Sequence, residues 1–166
     1  MQKHETGKLF ESHILENELL IIKVCRVYAY TDADRKDLFQ EIVIQLWKAY
    51  PNFKGDSKFS TWLYRVAINT AISRLRKQKK FITSYEPATL PDNMSEENKR
   101  ENEEEQWQQL TLAIEQLSEI EKAIVMLYME DKSYEEMEEI LGIGCGNLRV
   151  KMNRIKEKLR KLTKNN

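Results

Sequence analysis

The chain has 166 residues, of which 33% are charged, with 27 Lys+Arg balanced by 27 Asp+Glu. No apolar run approaches a membrane span and the N-terminal MQKHETGKLF has no signal-peptide core, so the expected location is the cytoplasm. Cys25 and Cys145 are too far apart in sequence to suggest a disulfide framework, and a length of this order holds one ordinary domain or two small ones.

Three prolines and five glycines leave little of the chain punctuated for turns, and abundant Leu, Ile, Glu, Lys and Arg favour helix. Every periodic stretch reads as helix and none alternates with a strand period, so the expected fold is all-α. The first amphipathic helix covers about 8–29, with Leu9, Leu15, Leu19, Ile22 and Val24 among its apolar positions. A second runs from Thr31 to Ala49 and is stopped by Pro51. A loop, 52–58, leads to a third over Phe59–Lys80. Two prolines, Asn, Ser and a run of Glu then mark a solvated linker, with a helix condensing late in it near Glu103. Trp107, Leu110, Ile114 and Leu117 recur at helical spacing. Ser118 with Glu121, and Ser133 with Glu136, match capping boxes that open helices to about Met129 and Leu141. Gly142–Gly146 is a glycine-rich turn before a last helix over about Asn147–Leu162. The expected organisation is two small helical domains, 1–80 and 107–166, joined by an acidic linker, 81–106.

The zero net charge hides a pattern. Residues 1–80 carry 15 basic against 9 acidic groups, 81–117 carry 2 against 9, and 118–166 carry 10 against 9. Two segments with basic helices flank an acidic one, and local charge is what steers a polyanion. On the third helix, Lys58, Trp62, Arg65, Asn69, Ser73, Arg76 and Lys80 fall within a sector of about 80° at 100° per residue. Leu63, Tyr64, Ala67, Ile68, Ala71 and Leu75 take the other side. Cations in a row track a phosphate backbone, and an indole offers unstacked bases a platform. The bland reading is a half-buried Trp62 beside an ordinary wet face.

The short helix, glycine turn and final helix have the shape of a helix-turn-helix. Leu148, Met152, Ile155, Leu159 and Leu162 form one narrow apolar stripe on the final helix, and nearly everything else on it is polar or basic. Such a helix fits a major groove, early residues toward base edges and later Lys and Arg toward phosphates. The competing reading is a solvated C-terminal helix whose lysines complement the dipole.

Two segments carry a family resemblance. DLFQEIVIQLWKAYPNFKGDSKFSTWLYRVAINTAISRLRKQKK (37–80) resembles region two of the sigma-70 family, in its extracytoplasmic-function group. LSEIEKAIVMLYMEDKSYEEMEEILGIGCGNLRVKMNRIKEKLRKL (117–162) resembles region four. The resemblance implies a factor that binds core RNA polymerase, at its clamp helices and flap, and directs it to promoter DNA. It implies that Asp37, Leu38, Gln40, Glu41 and Trp47 meet the polymerase. It implies that Trp62, Arg65, Asn69 and Arg76, helped by Lys54 and Lys58, melt and read the minus-ten element. It implies that Arg149, Val150, Asn153 and Arg154 read the minus-thirty-five major groove, with Asn147, Lys151 and Lys156 toward phosphate. An anti-sigma factor is an implied partner, and no direct membrane insertion is. Ser73 departs from a common Asp, Glu138 from a small Ala, and Gly144 and Gly146 loosen the turn.

His4, His13, Cys25 and Cys145 have no ligand spacing, so no metal or other cofactor is expected. Cys145 reads as a small structural residue rather than a redox site. No phosphate loop or nucleophile–base pair points to an enzyme. Three other classes stay open on the residues alone: a stand-alone helix-turn-helix regulator, a helical module binding acidic proteins, and a metal-dependent enzyme.

Overall fold

A computed structural model describes residues 2–82 and 103–164, with side chains over 6–80 and 108–164. The described residues form eight α-helices and one short 3-10 turn, with no strand among them. The stretch expected as one helix over 8–29 is two: α1 (Gln2–Glu16) and α2 (Glu18–Tyr28). Asn17 sits between them at φ −116°, ψ 13°, and its side-chain amide donates to the His13 carbonyl at 2.8 Å. A short amide side chain that bonds locally to the backbone offers the chain an alternative to the helical ladder. Each helix then buries its own face. Phe10, Ile21, Val24, Cys25 and Tyr28 are inside, while Leu9, Leu15 and Leu19 are 54%, 66% and 71% exposed.

Helix α3 (Asp32–Ala49) starts on Thr31, whose hydroxyl accepts the Asp34 N–H at 3.1 Å. It ends in the 3-10 turn Tyr50–Asn52 that Pro51 shapes. The loop behind it turns at Gly55, whose φ of 77° suits a residue without Cβ. Helix α4 (Phe59–Ile82) then lays Leu63, Tyr64, Ala67, Ile68 and Ala71 against α2 and α3. Ile21, Val24, Leu38, Ile42, Leu46, Leu63 and Ile68 are each at most 1% exposed, and together they form the middle of this three-helix core. Each such side chain contributes about 1.5–3 kcal/mol by leaving water.

The second half is α5 (Glu103–Glu115), α6 (Glu119–Met129), α7 (Tyr134–Leu141) and α8 (Cys145–Lys164). Both capping boxes form: Ser118 with Glu121 at α6, and Ser133 with Glu136 at α7. Gly142 ends α7 at φ 69°, its N–H donating to the Glu138 carbonyl at 2.8 Å. Gly146 does not belong to the turn as expected; it lies in the first turn of α8, which begins at Cys145. Most of the expected linker, including the start of its Glu run at Glu96, lies outside the described residues, as does the side chain of Trp107, while Glu103–Glu105 open α5. Because each box satisfies two otherwise free N–H groups, Ser133→Ala is expected to lower stability by about 1 kcal/mol. A urea unfolding curve with an unshifted midpoint would show that the cap contributes nothing.

The two halves pack on one another. The Tyr28 hydroxyl donates to the Glu119 carbonyl at 2.6 Å, and burial, with Glu119 beside it, pushes the phenol pKa up, so it stays a donor. Lys23 pairs with Glu130 at 2.5 Å, Lys122 donates to the Tyr30 hydroxyl at 2.8 Å, and Lys79 pairs with Glu119. The N-terminal core thereby continues into Ala123, Ile124, Leu127, Met137, Leu148 and Ile155.

Candidate nucleic-acid interface

Helix α4 keeps the division read from its angular spacing. Lys58, Arg65, Asn69, Ser73 and Arg76 are exposed, as is Lys54 in the preceding loop, while the opposite side is core. Trp62 is half-buried. Its ring lies 5.0 Å from Phe53, 5.3 Å from Phe59 and 6.4 Å from Tyr50, centroid to centroid. These neighbours come from the 3-10 turn, the loop and the start of α4, and they hold the indole with part of its surface open beside the cations. Pairs of this kind add about 0.5–1.5 kcal/mol beyond area burial, so the platform is stiff. Arg65 reaches across to the second half, its Nε donating to the Glu139 carbonyl at 3.0 Å.

Helix α8 buries Leu148, Met152 and Ile155 and exposes Asn147, Arg149, Val150, Asn153, Arg154 and Lys156, with Lys151 half-exposed. Two cations on it rest on aromatic rings of the preceding helices. The Arg149 guanidinium lies 5.2 Å from the Tyr134 ring centre. The Lys156 ammonium lies 4.7 Å from that of Tyr128 and donates to its hydroxyl at 3.2 Å. Such contacts restrict long side chains before any ligand arrives. The turn is fixed by Glu138, whose carboxylate accepts the Cys145 N–H at 3.1 Å and the Cys145 thiol at 2.8 Å. Glu138 therefore points out, along the start of α8, and does not wedge between α7 and α8 as a large residue at a packing position would.

On α3, Asp37, Gln40 and Trp47 lie on one outward face and Glu41 lies at its edge, ion-paired with Arg74 at 3.7 Å. Leu38 is a correction. At 1% exposed it belongs to the core stripe with Ile42 and Leu46, one turn apart each, and it has no surface to offer a partner. Ile44, 51% exposed between Gln40 and Trp47, takes its place on the outward face. Trp47 is 47% exposed and stands edge-on to Phe10 at 5.0 Å. An exposed Ile and Trp on one helix face form an apolar patch of the sort that marks a protein contact.

Tyr134, Tyr128 and Ile44 are not singled out by the sequence, and Glu138 stands out there only as a departure from a small residue. The first two stand one residue past Ser133 and one before Met129, so helix boundaries alone did not pair them with Arg149 and Lys156. Among the described residues, no group of three or more His, Cys, Asp or Glu could hold a metal ion, and no helix is long and apolar enough to cross a membrane.

The sequence matches the family models "Sigma-70 region 2" over residues 14–81 and "Sigma-70, region 4" over residues 107–159. The RNA polymerase sigma-H factor of Pseudomonas aeruginosa is 28% identical over 166 residues, covering 93% of this chain and 86% of that protein. The ECF RNA polymerase sigma-E factor of Escherichia coli K12 is 33% identical over 135 residues, covering 75% of this chain and 71% of that protein. Among solved structures, the sigma factor RpoE of Bartonella quintana, in complex with the anti-sigma factor NepR, superposes with a TM-score of 0.71 at 20% identity, over 95% of this chain and 98% of that one. CnrH, in complex with the cytosolic domain of CnrY, gives 0.66 at 15% identity, over 96% and 90%. At those identities the superpositions speak for the fold, and the sequence matches speak for descent. Both regions occur in one chain and in order, so the chain belongs to the extracytoplasmic-function group of the sigma-70 family.

Proposed function

We propose that this chain directs core RNA polymerase to promoters by dividing the work between its halves. Residues 1–80 melt and read the minus-ten element, 107–166 read the minus-thirty-five element, and 81–106 tether them. The observation that carries this reading is the pair of outward cationic helix faces, α4 and α8, on the two halves of one chain. Lys54, Lys58, Arg65 and Arg76 neutralise backbone phosphates, Asn69 supplies hydrogen bonds, and Trp62 supports an unstacked base. Arg149, Val150, Asn153 and Arg154 reach base edges, Val150 through apolar contact, and Asn147, Lys151 and Lys156 anchor phosphates. Asp37, Gln40, Ile44 and Trp47, with Glu41 at the margin, face the polymerase clamp helices, and α8 with its neighbours approaches the flap.

The factor has no catalysis of its own, works in the cytoplasm, and is held by an anti-sigma factor when idle. To separate on use, the halves must part the Tyr28 bond to Glu119 and the shared core as well as the polar contacts at the surface. Exposed ion pairs such as Lys79 with Glu119 are worth little, and Arg65 exchanges the Glu139 carbonyl for a phosphate. Run-off transcription with core polymerase on a genomic library, with mapped start sites, tests the reading. Starts sharing two spaced sequence elements are the expected result. A chain that neither binds core polymerase nor yields any start would sink it.

A further inference from the structure

The start of α8 is unusual in what caps it. Its first turn carries no acidic residue, and Gly144, which precedes Cys145, has no side-chain oxygen to offer. The anion at the free N–H groups comes instead from the previous helix, as the Glu138 carboxylate on the Cys145 amide and thiol. Those hydrogen bonds, the thiol's first, hold the Glu138 carboxyl below its ordinary range, so it is ionised at neutral pH. A helix N-terminus left free is a ready phosphate site. On duplex DNA phosphate contacts add affinity without sequence information, while base edges carry the discrimination.

We propose that Glu138 is a specificity-determining residue: its carboxylate fills the amide terminus of the recognition helix and repels DNA phosphate there. Binding by α8 then depends more on Arg149, Val150, Asn153 and Arg154, and the factor holds non-promoter DNA less tightly. The inference rests on the reading of α8 as the minus-thirty-five reader. It also makes a prediction opposite in sign to that of a plain helix cap. If Glu138 only braced the turn, neutralising it would weaken binding to every duplex. If it repels phosphate, Glu138→Gln keeps an acceptor for the Cys145 N–H, removes the charge, and strengthens binding where sequence does not matter.

The test uses the full chain assembled with core polymerase. Probes are one mapped promoter duplex and the same duplex with its minus-thirty-five element scrambled, each titrated over a range of salt. Glu138→Gln is expected to bind the scrambled duplex roughly fivefold more tightly. The logarithmic salt slope should steepen, because a negative charge no longer opposes phosphate there, and the ratio of promoter to scrambled affinity should fall. Glu139→Gln, an equal charge change on the next residue of α7, should leave the slope where it was. Weaker or unchanged binding of the scrambled duplex by Glu138→Gln overturns the proposal, as does an equal gain from Glu139→Gln, which would reduce the effect to diffuse charge. If the unsubstituted holoenzyme fails to separate the two duplexes, the role of α8 itself is wrong and both readings fall together.

Discussion

Trp62→Ala should leave core polymerase bound yet lower the equilibrium for promoter opening by roughly 5- to 150-fold. The indole is fixed by Phe53, Phe59 and Tyr50 and stands in the same row as Lys58, Arg65 and Asn69. An aromatic platform is worth about 1–3 kcal/mol per stacked base, or roughly 5- to 150-fold in an equilibrium constant. That energy is available only to strands already separated, so it stabilises the open form and not the initial encounter. The same substitution also removes packing from a half-buried cluster, and loss of fold would mimic loss of opening. Trp62→Phe separates the two, since it keeps an aromatic face and most of the volume. Opening should recover with Phe if stacking is the cause. Permanganate reactivity of thymines in the minus-ten element reads opening, and anisotropy of labelled core polymerase reads binding. Unchanged reactivity with Trp62→Ala, or a loss of core binding as large as the loss of opening, would contradict the assignment.

What could be read in the sequence was mostly what depends on near neighbours. The capping boxes at Ser118 and Ser133 involve groups three residues apart, and both are present. The sides of α4 and α8 follow from a fixed angle per residue, and burial follows them. The misses arise where a distant or ambiguous partner decides. Asn17 breaks a periodic stretch through one side-chain bond to His13, with neither Pro nor Gly to announce it. Family likeness puts Leu38 on the polymerase face, although Leu38, Ile42 and Leu46 recur every four residues and form their own stripe. Applying the angular test to α3 puts Asp37, Gln40, Ile44 and Trp47 within about 80° of one another, on the side away from that stripe. Glu138 was legible only as a residue too large for a packing position. Its alternative is to reach across the turn to Cys145, a partner seven residues away that no spacing rule supplies. The supports under Arg149 and Lys156 come from Tyr134 and Tyr128 on other helices, and no spacing rule pairs them.

Those supports sharpen the expectation for Arg154. Arg149 lies on the Tyr134 ring and Lys156 on the Tyr128 ring, whereas Arg154 is exposed with no acceptor for its guanidinium among the described residues. Its donors are free for a base, and a bidentate guanine contact carries about 1–3 kcal/mol of discrimination. Arg154→Ala should therefore flatten the preference at one minus-thirty-five base pair by roughly 5- to 150-fold, leaving other positions and core binding as they were. Lys156→Ala should behave differently. A phosphate contact carries no sequence information, so affinity should fall on every promoter alike and the salt slope should become shallower by about 0.9. Competition among promoters that each differ at one minus-thirty-five position distinguishes these outcomes in a single experiment. Uniform loss from Arg154→Ala would assign it to the backbone instead, and a change at one position from Lys156→Ala would assign that lysine to a base. Both substitutions lie on the solvent side of α8, away from Leu148, Met152 and Ile155, so neither should disturb the helix that carries them.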